Sequence, residues 1–317
     1  MQRAPASPDL RILAEGFLFP EGPVACADGS VLLVEIERRT VTRVTADGAV
    51  EIAAQLDGGP NGIAFGPDGA LYVCNNGGFL FREVGGYRRV QPGVPDHYEG
   101  GWIERVELST GRREVLYTHA GEHRLIGPND LVFDRHGGFY FTDFGKMHAR
   151  HRMNGGLYYG KADGSSIVEV AYPFIMPNGV ALSPDGATVY VAETETGRLW
   201  AFDLEAPGIA RREPFPSPHG GRLVCGLPGY QRFDSMAVEA SGNLCVATLI
   251  TGCITVISPA GEVLRQVTTG DPITTNICFG GPELRTAYVT LSGTGKLAAI
   301  DWPAPGLPLA YTEGPLR

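Results

Sequence analysis

Residues 177–194 read Pro177-Asn178-Gly179-Val180-Ala181-Leu182-Ser183-Pro184-Asp185-Gly186-Ala187-Thr188-Val189-Tyr190-Val191-Ala192-Glu193-Thr194. A polar residue is followed by a short apolar segment, a Pro-Asp-Gly turn and a second apolar segment. Both segments have strand length, and an Asp-Gly turn between two such segments is a strong signal for a β-hairpin. These residues therefore predict two antiparallel strands joined by a turn at Asp185.

The same pattern recurs along the chain with a constant spacing. Each copy begins with Glu, Asn or Asp, and its turn residue follows seven positions later. The six pairs of first residue and turn residue are Glu21 with Asp28, Asn61 with Asp68, Asn129 with His136, Asn178 with Asp185, Asp234 with Ser241 and, most weakly, Asn276 with Glu283. Strand-rich repeats of roughly 40 to 50 residues are typical of β-propellers. An all-β sandwich with recurring turns is the alternative, but it gives no reason for a constant offset.

We therefore predict an all-β chain that folds as a single six-bladed β-propeller domain over residues 1–317. The wider gaps between copies are interpreted as insertions, and the clearest of them, residues 78–101, is rich in turn residues. Such an insertion either shapes a site on one face of the propeller or is a plain decorated hairpin. Residues 9–20 and 309–312 are both candidates for the strand that closes the ring.

The composition excludes some classes of partner. The chain has 317 residues, of which 43% are apolar, and a formal net charge of −9. Nucleic acids and anionic membrane surfaces require a basic patch, so neither is an expected partner. Residues 1–10 lack the apolar core of a signal peptide, and no apolar run is long enough to span a membrane, so we expect a cytoplasmic protein. The six cysteines show no zinc-binding spacing and are interpreted as buried thiols.

The first residue of each copy is the expected location of the chemistry. Equivalent positions on the innermost strands of a propeller converge on its central channel. The converging residues are Glu21, Asn61, Asn129, Asn178, Asp234 and Asn276. Carboxylate and amide oxygens are hard ligands that suit Ca²⁺, Mg²⁺ or Mn²⁺, whereas Zn²⁺ and Fe²⁺ are less typical of amide-rich sites. The alternative is that Asn and Asp only cap turns, and we favour that interpretation for Asn61 and Asn276.

Glu21 is the strongest argument for a metal site, because Glu is a poor turn residue and stands where other copies carry Asn or Asp. The turn residues at the far ends of the strands are expected to form hairpin turns and to take no part in catalysis or metal binding. They are Asp28, Asp68, His136, Asp185 and Ser241.

Four short motifs together carry a family resemblance. They are Glu21-Gly22-Pro23, Asn129-Asp130, Pro177-Asn178-Gly179 and Asp234-Ser235. In this order and spacing they resemble the motifs of the gluconolactonase, regucalcin and luciferin-regenerating-enzyme family of six-bladed propellers, from about Phe17 to Leu297. The resemblance implies one catalytic divalent cation held by Glu21, Asn178 and Asp234, with Asn129 beside it as a fourth ligand or a substrate contact. Ca²⁺ is the expected ion, with Zn²⁺, Mn²⁺, Mg²⁺ and Fe²⁺ as alternatives.

The resemblance also implies a reaction, the hydrolytic opening of a small-molecule lactone. The cation would polarise the lactone carbonyl, Asn129 would orient the substrate, and Asp234 would act as general base. Whether the attacking water is bound by the metal or by Asp234 stays open. A phosphotriesterase-like hydrolase with the same metal site, and a non-catalytic binding platform, are the alternatives. A serine hydrolase is disfavoured because no Gly-x-Ser-x-Gly motif occurs.

Two further observations concern the choice of substrate. Family members that open aldonolactones typically carry Arg two residues before the Asn of blade three, where this chain has Gly127, which argues against a simple sugar lactone.

The basic loop Lys146 to Arg152 follows the same blade, and His148 and His151 in it are candidate substrate-binding residues. A solvated surface loop is the alternative for them. His97, His119 and His123 are interpreted as ordinary surface or core histidines.

Overall fold

The computed structural model describes residues 9–312. Residues 1–8, which belong to the segment judged above to lack a signal-peptide core, lie outside the described part. Each copy of the repeated pattern forms the two inner strands of a small antiparallel sheet, as the alternation of apolar segments and Gly-containing turns predicts. Six such sheets form a six-bladed β-propeller, so the predicted fold class is confirmed.

The first three blades follow one another along the chain, and in each the innermost strand comes first. Blade 1 comprises β2 (Pro20–Ala25), β3 (Val31–Glu35), β4 (Thr40–Val44) and β5 (Val50–Gln55). Blade 2 comprises β6 (Pro60–Phe65), β7 (Leu71–Asn75), β10 (Trp102–Glu107) and β11 (Arg112–Tyr117). Blade 3 comprises β14 (Pro128–Phe133), β15 (Gly138–Asp143), β18 (Gly155–Lys161) and β19 (Ile167–Phe174).

The last three blades complete the ring. Blade 4 comprises β20 (Pro177–Leu182), β21 (Thr188–Glu193), β22 (Arg198–Ala206) and β24 (Arg222–Gly226), with β23 (Ile209–Ala210) also paired to β22. Blade 5 comprises β25 (Arg232–Val238), β26 (Leu244–Leu249), β27 (Cys253–Ile257) and β28 (Val263–Thr268). Blade 6 comprises β29 (Thr274–Gly280), β30 (Thr286–Leu291), β31 (Lys296–Asp301) and the N-terminal β1 (Arg11–Glu15).

The ring is closed by the N-terminal strand. β1 pairs with β31, with Arg11 opposite Ala299 and Glu15 opposite Lys296. The other candidate segment has a different position: residues 307–311 lie across one end of the central cavity. Of the two candidates for the closing strand, the structure therefore selects the segment that contains β1.

Three short hairpins extend from the blades. They are β8 (Leu80–Val84) with β9 (Tyr87–Gln91), β12 (His119–Ala120) with β13 (His123–Arg124), and β16 (Lys146–Met147) with β17 (Arg152–Met153). The insertion predicted at residues 78–101 contains the first of them. Within the described residues one short 3₁₀ helix, Pro282–Leu284, occupies the place of the turn in the weakest copy of the repeat.

The hydrophobic core is divided into six clusters, one between each pair of neighbouring blades. Val34 of blade 1 packs with Phe65 of blade 2, for example, and Leu297 of blade 6 packs with Leu33 of blade 1. Full burial of such a side chain contributes about 1.5–3 kcal/mol. All six cysteines lie in the described residues and none forms a disulfide. Five of them are buried and Cys278 is partly buried, in agreement with the sequence analysis.

Candidate metal centre at one end of the central cavity

Five of the six first residues of the repeats meet at one end of the propeller axis. Glu21, Asn129, Asn178 and Asp234 line one cavity of about 150 Å³, and each is between 3% and 6% exposed. All six innermost strands contribute to the wall of this cavity. We call this region the polar end. The structure thus brings together the four residues that the resemblance implied as ligands.

A β-bulge positions these side chains. In blade 4, Pro177 pairs with Glu193 and Val180 with Val191, so Asn178 and Gly179 together oppose the single residue Ala192. Every innermost strand has a break in register at the first residue of its repeat or directly beside it. A bulge releases backbone groups from the ladder and turns a side chain away from its regular direction.

Glycines next to the bulges allow the innermost strands to approach one another. A Cβ atom on Gly22 would lie 2.4 Å from the backbone oxygen of Asn61, and one on Gly62 would lie 2.6 Å from that of Asn129. A Cβ atom on Gly179 would lie 2.8 Å from the backbone oxygen of Asp234. These separations are shorter than van der Waals contact, so only glycine permits the close packing that gathers the polar residues.

Hydrogen bonds fix two of the predicted ligands, Glu21 and Asn178, and leave a third, Asn129, incomplete. Glu21 Oε2 accepts hydrogen bonds from Asn276 Nδ2 at 3.2 Å and from the Gly22 N–H at 3.1 Å, and Asn178 Oδ1 accepts one from Ser235 Oγ at 3.1 Å. Asn129 Oδ1 is buried and has no hydrogen-bond partner in the described part of the chain. Because a buried unpaired carbonyl oxygen is costly, this atom fits the role of a cation ligand.

The carboxyl groups at the polar end are held in an unfavourable environment. Burial raises the pKa of Glu21 to about 7. It also raises to about 7 the pKa of Asp130, which follows Asn129 in the chain but lines the cavity at the opposite end of the axis. Burial, followed by repulsion from Glu21, raises the pKa of Asp234 well above its usual value, although a hydrogen bond from Asn178 acts in the opposite direction. Buried anions that repel one another are stabilised by a bound cation, so the residues present fit a divalent metal ion.

Sequence analysis assigned no separate role to Asp130. It follows Asn129 and stands where the repeats of blades 1, 2 and 4 carry Gly22, Gly62 and Gly179. Its Oδ1 accepts a hydrogen bond from the Leu131 N–H at 2.9 Å, and its charge raises the pKa values of Glu21 and Asp234. The replacement of a recurring glycine by a carboxylate is the signal in the sequence that would have indicated this residue.

Asn61 and Asn276 differ in their placement. Asn61 lines the polar end with the predicted ligands. Asn276 accepts a hydrogen bond from the Ile277 N–H at 2.8 Å and, through Nδ2, holds Glu21. Within the described residues, no group of three or more His, Cys, Asp or Glu side chains has an arrangement that could bind a metal, so any site at the polar end depends on amide oxygens.

The insertion lies within blade 2, between β7 and β10, and covers part of the polar end. Phe79, Arg89, Val90 and Gln91 contribute to the wall of the cavity. The hairpin β8–β9 is held by an ion pair between Arg88 and Glu37. A hydrogen bond from the Arg88 N–H to Gly293 O at 2.8 Å connects it to blade 6. This insertion therefore shapes the cavity, as one of the two interpretations expected.

The candidate substrate-binding histidines lie away from the cavity wall. His148 and His151 stack on each other with ring centroids 4.4 Å apart, in the turn between β16 and β17, and neither is among the residues that line the polar end. Met147, from the same hairpin, does line it. His97, His119 and His123 are exposed, in agreement with their interpretation as ordinary histidines.

Gly127 occupies a position that has no room for a larger residue. Its N–H donates to Asp143 Oδ1 at 2.8 Å, and a Cβ atom there would lie 2.7 Å from the backbone oxygen of Gly145. The buried Lys146 passes nearby, and its Nζ donates to Gly78 O at 2.8 Å and lies 3.8 Å from the centroid of the Phe79 ring. Burial lowers the pKa of Lys146 to about 7. A larger side chain at position 127 would therefore require the backbone at Gly145 to move.

The opposite end of the axis is lined by the same six strands but differs in chemistry. It forms a cavity of about 200 Å³ that residues 307–311 partly cover, and we call it the covered end. Tyr311 packs edge-on against Phe133 with ring centroids 5.5 Å apart. Asp185 lines this end, and its Oδ1 accepts a hydrogen bond from the Ala187 N–H at 3.0 Å, as expected for a turn residue.

Fold and site together define a six-bladed β-propeller with a buried set of carboxylate and amide oxygens on its axis. Residues 19–293 match the family model described as the SMP-30/gluconolactonase/LRE-like region, and the chain belongs to this family. No helix among residues 9–312 is long and apolar enough to cross a membrane.

Similar proteins support the assignment. The lactonase drp35 of Staphylococcus saprophyticus is 29% identical over 264 residues, which cover 83% of this chain and 73% of the relative. The gluconolactonase of Zymomonas mobilis is 26% identical over 316 residues, which cover 90% of this chain and 80% of the relative. The crystal structure of regucalcin from Agrobacterium tumefaciens shares the fold with a TM-score of 0.73 at 18% identity, covering 96% of this chain and 98% of that one.

Proposed function

We propose that this protein is a metal-dependent hydrolase that opens a lactone at the polar end of the cavity. The observation that carries the proposal is the buried, unpartnered Asn129 Oδ1 in the same cavity as Glu21, Asn178 and Asp234. The names of the relatives, lactonase and gluconolactonase, support the reaction class. The propeller alone would not, because this architecture serves many functions.

Glu21, Asn129, Asn178 and Asp234 would hold one divalent cation, with Ca²⁺ as the expected ion because all four ligands are oxygen atoms. Zn²⁺, Mn²⁺, Mg²⁺ and Fe²⁺ are the alternatives. Such a cation supplies Lewis acidity toward a carbonyl oxygen when it is bound.

The residues of the chain account for the other requirements of the reaction. The Asn129 amide orients the substrate carbonyl, and Asp234 accepts a proton from the attacking water. The water oxygen adds to the carbonyl carbon, the bond from that carbon to the ring oxygen breaks, and the ring oxygen takes up a proton. The product is a hydroxy acid. Asn276 keeps Glu21 in place through its hydrogen bond of 3.2 Å, and Ser235 does the same for Asn178.

The test compares hydrolysis of a lactone with hydrolysis of a phosphotriester by the same metal-supplemented preparation, before and after treatment with a chelator. We expect lactone opening that is lost with the metal and restored when the metal is returned. Phosphotriester hydrolysis that exceeds lactone hydrolysis would replace the proposed reaction by the alternative one. If neither substrate reacts with any of the five cations, the hydrolase proposal is wrong.

A further inference from the structure

Most of the cavity wall around the four proposed ligands is apolar. Six of the residues that form it are Phe19, Ile36, Phe79, Phe144, Met147 and Ile250. Phe79 lies edge-on to Phe144, with ring centroids 6.1 Å apart. A ring that carries several hydroxyl groups would lose water here without gaining hydrogen-bond partners, which is unfavourable. The wall favours a substrate with an apolar body.

Few neutral polar side chains on this wall are available to a sugar. Apart from the residues at the start of the innermost strands, Gln91 and Thr194 are the neutral polar members of the lining. Thr194 Oγ1 is buried and has no hydrogen-bond partner in the described residues. One amide and one hydroxyl do not match the several hydroxyl groups of an aldonolactone.

Beyond the proposed ligands Glu21 and Asp234, the charged side chains that line the cavity are those of Arg89, Arg232 and Glu195. Glu195 forms ion pairs with Arg232, at 3.1 Å, and with Arg152, at 3.6 Å. With the charges of Glu21 and Asp234 balanced by the proposed divalent cation, Arg89, Arg232 and Glu195 remain on the wall. Arg152, which lies outside the lining but beside Glu195, adds a third guanidinium group to this region, in a chain whose formal net charge is −9. A local positive field of this kind attracts anions.

Of these three arginines, Arg89 is the one whose guanidinium makes no hydrogen bond and no ion pair within residues 9–312, whereas Arg152 and Arg232 pair with Glu195. In the hairpin β8–β9, Arg89 pairs across the strands with Arg82, which places two like charges side by side on one face. Like charges at directly opposite positions destabilise a hairpin, and an anion bound beside them removes this cost.

We propose that the substrate of the polar end is a lactone with an apolar body and an anionic substituent, and that Arg89 selects it by binding that substituent. This inference rests on the proposed function and specifies its substrate class. The lactone ring lies toward the four ligands, the apolar body lies against the aromatic wall, and the carboxylate lies at the entrance. An arginine fork is well suited to bind a carboxylate.

The experiment compares three probes on the metal-loaded protein: a phenyl-substituted δ-lactone, the same lactone with a carboxylate on its phenyl ring, and gluconolactone. We expect kcat/KM to be highest for the carboxyphenyl lactone, about tenfold above the phenyl lactone. Gluconolactone is expected to be the poorest of the three. The preference for the carboxylate should decrease as salt is raised from about 0.05 to about 0.5 M, because screening weakens attraction between exposed charges.

Arg89→Leu and Arg82→Leu form a matched pair, because both remove one positive charge from the same face of one hairpin and only Arg89 lines the cavity. We expect Arg89→Leu to reduce the carboxylate preference about fivefold and Arg82→Leu to retain it. Titration calorimetry with the corresponding lactams, which keep the shape of the lactones but resist hydrolysis, measures the same preference as binding.

Three results would overturn the inference: gluconolactone as the best substrate, equal kcat/KM for the two phenyl lactones, or equal effects of Arg82→Leu and Arg89→Leu. If the wild-type protein opens none of the three lactones, the proposed function fails. Calorimetry then still decides whether Arg89 selects an anionic ligand. Metal-dependent opening of the phenyl lactone without any carboxylate preference leaves the proposed function intact and removes only the inference.

Discussion

The two ends of the central cavity are lined by the same six strands, yet Asp134 at the covered end and Asn129 at the polar end differ in how their oxygen atoms are paired. At the covered end, Asp134 accepts hydrogen bonds from two backbone N–H groups, at 2.8 and 3.0 Å, and from the Tyr159 hydroxyl at 2.8 Å. At the polar end, Asn129 Oδ1 has no partner among the described residues, and the pKa values of Glu21 and Asp234 are raised. The two cavities are similar in size, so their chemistry distinguishes them.

This difference shows which end is prepared for a ligand. A polar group that is fully paired within the protein contributes to folding, whereas buried groups left unpaired or charged cost free energy that only a bound partner recovers. The bulges explain how a single strand can carry unpaired polar groups at one end and regular strand pairing at the other. Residues at the bulge leave the regular ladder, while residues beyond it, such as Val180 opposite Val191, return to it.

The largest expected effect comes from exchanging one carboxylate at each end. Asp234→Asn should reduce lactone hydrolysis roughly 10³-fold or more, because it removes a proposed ligand and base at once. Asp185→Asn, at the covered end, should keep the activity within about twofold. It should lower the free energy of unfolding by at most about 1 kcal/mol, because it weakens only the hydrogen bonds of its own turn. Equal losses of kcat in the two variants would contradict the distinction between the ends.

A smaller effect is expected from adding one methyl group at each end of the blade 4 hairpin. Gly179→Ala would place a Cβ atom 2.7 Å from Ser235 Cα, which displaces the strand that carries Asp234. We expect a loss of about 2–4 kcal/mol in the free energy of unfolding and a clear loss of kcat. Gly186→Ala meets no atom within 4 Å, but its φ is +72°, so we expect only about 1 kcal/mol of strain and normal kcat. Chemical denaturation and steady-state kinetics measure both quantities.

The stabilising effect of the metal should depend on pH. The pKa of Glu21 in the folded, metal-free protein is about 7, above its ordinary value of 4.5. The favourable contribution of protonated Glu21 to the free energy of unfolding is therefore complete below pH 4.5, and it is lost as the pH rises through 7. A bound cation replaces the proton, so the increase in Tm on adding Ca²⁺ should be larger at pH 8 than at pH 5. An increase that is independent of pH would mean that the metal does not bind at Glu21.

The smallest effect is a stabilisation. Glu21→Gln removes a buried charge beside Asp234 and Asp130, so it should raise the Tm of the metal-free protein at pH 8 by roughly 4 °C, about 2 kcal/mol in a chain of this size. Glu37→Gln, a carboxylate that instead pairs with Arg88, should not raise it. Differential scanning calorimetry after chelation gives the comparison. A lower Tm for Glu21→Gln would show that the carboxylate stabilises the metal-free fold.

The sequence was sufficient to predict the features that repeat. The hairpins, the number of blades and the meeting of Glu21, Asn129, Asn178 and Asp234 all follow from a constant offset between polar residue and turn. Features that occur once were harder. The closing strand β1 is defined by pairing with β31, almost 300 residues away in the chain, and neither segment carries a local signal for that pairing.

The entrance of the cavity shows the same limit. The basic loop suggested His148 and His151 as substrate contacts, but the structure places Met147 and Arg89 on the wall instead. Arg89 belongs to an insertion whose position depends on contacts with blades 1 and 6 through Arg88. Asp130 is hard to predict because the repeats share only their first residue and their turn, and the position after the first residue varies between glycine, serine, isoleucine and aspartate.

The measurement that tests the central claim most directly is elemental analysis of the purified protein beside Glu21→Gln, Asp234→Asn and Asp185→Asn, with lactone hydrolysis assayed on the same samples. We predict one divalent ion per chain in the wild-type protein and in Asp185→Asn. Metal and activity should be lost together in the two variants of the polar end. Full lactone hydrolysis in samples without any bound divalent ion, or a full complement of metal in both polar-end variants, would contradict the account.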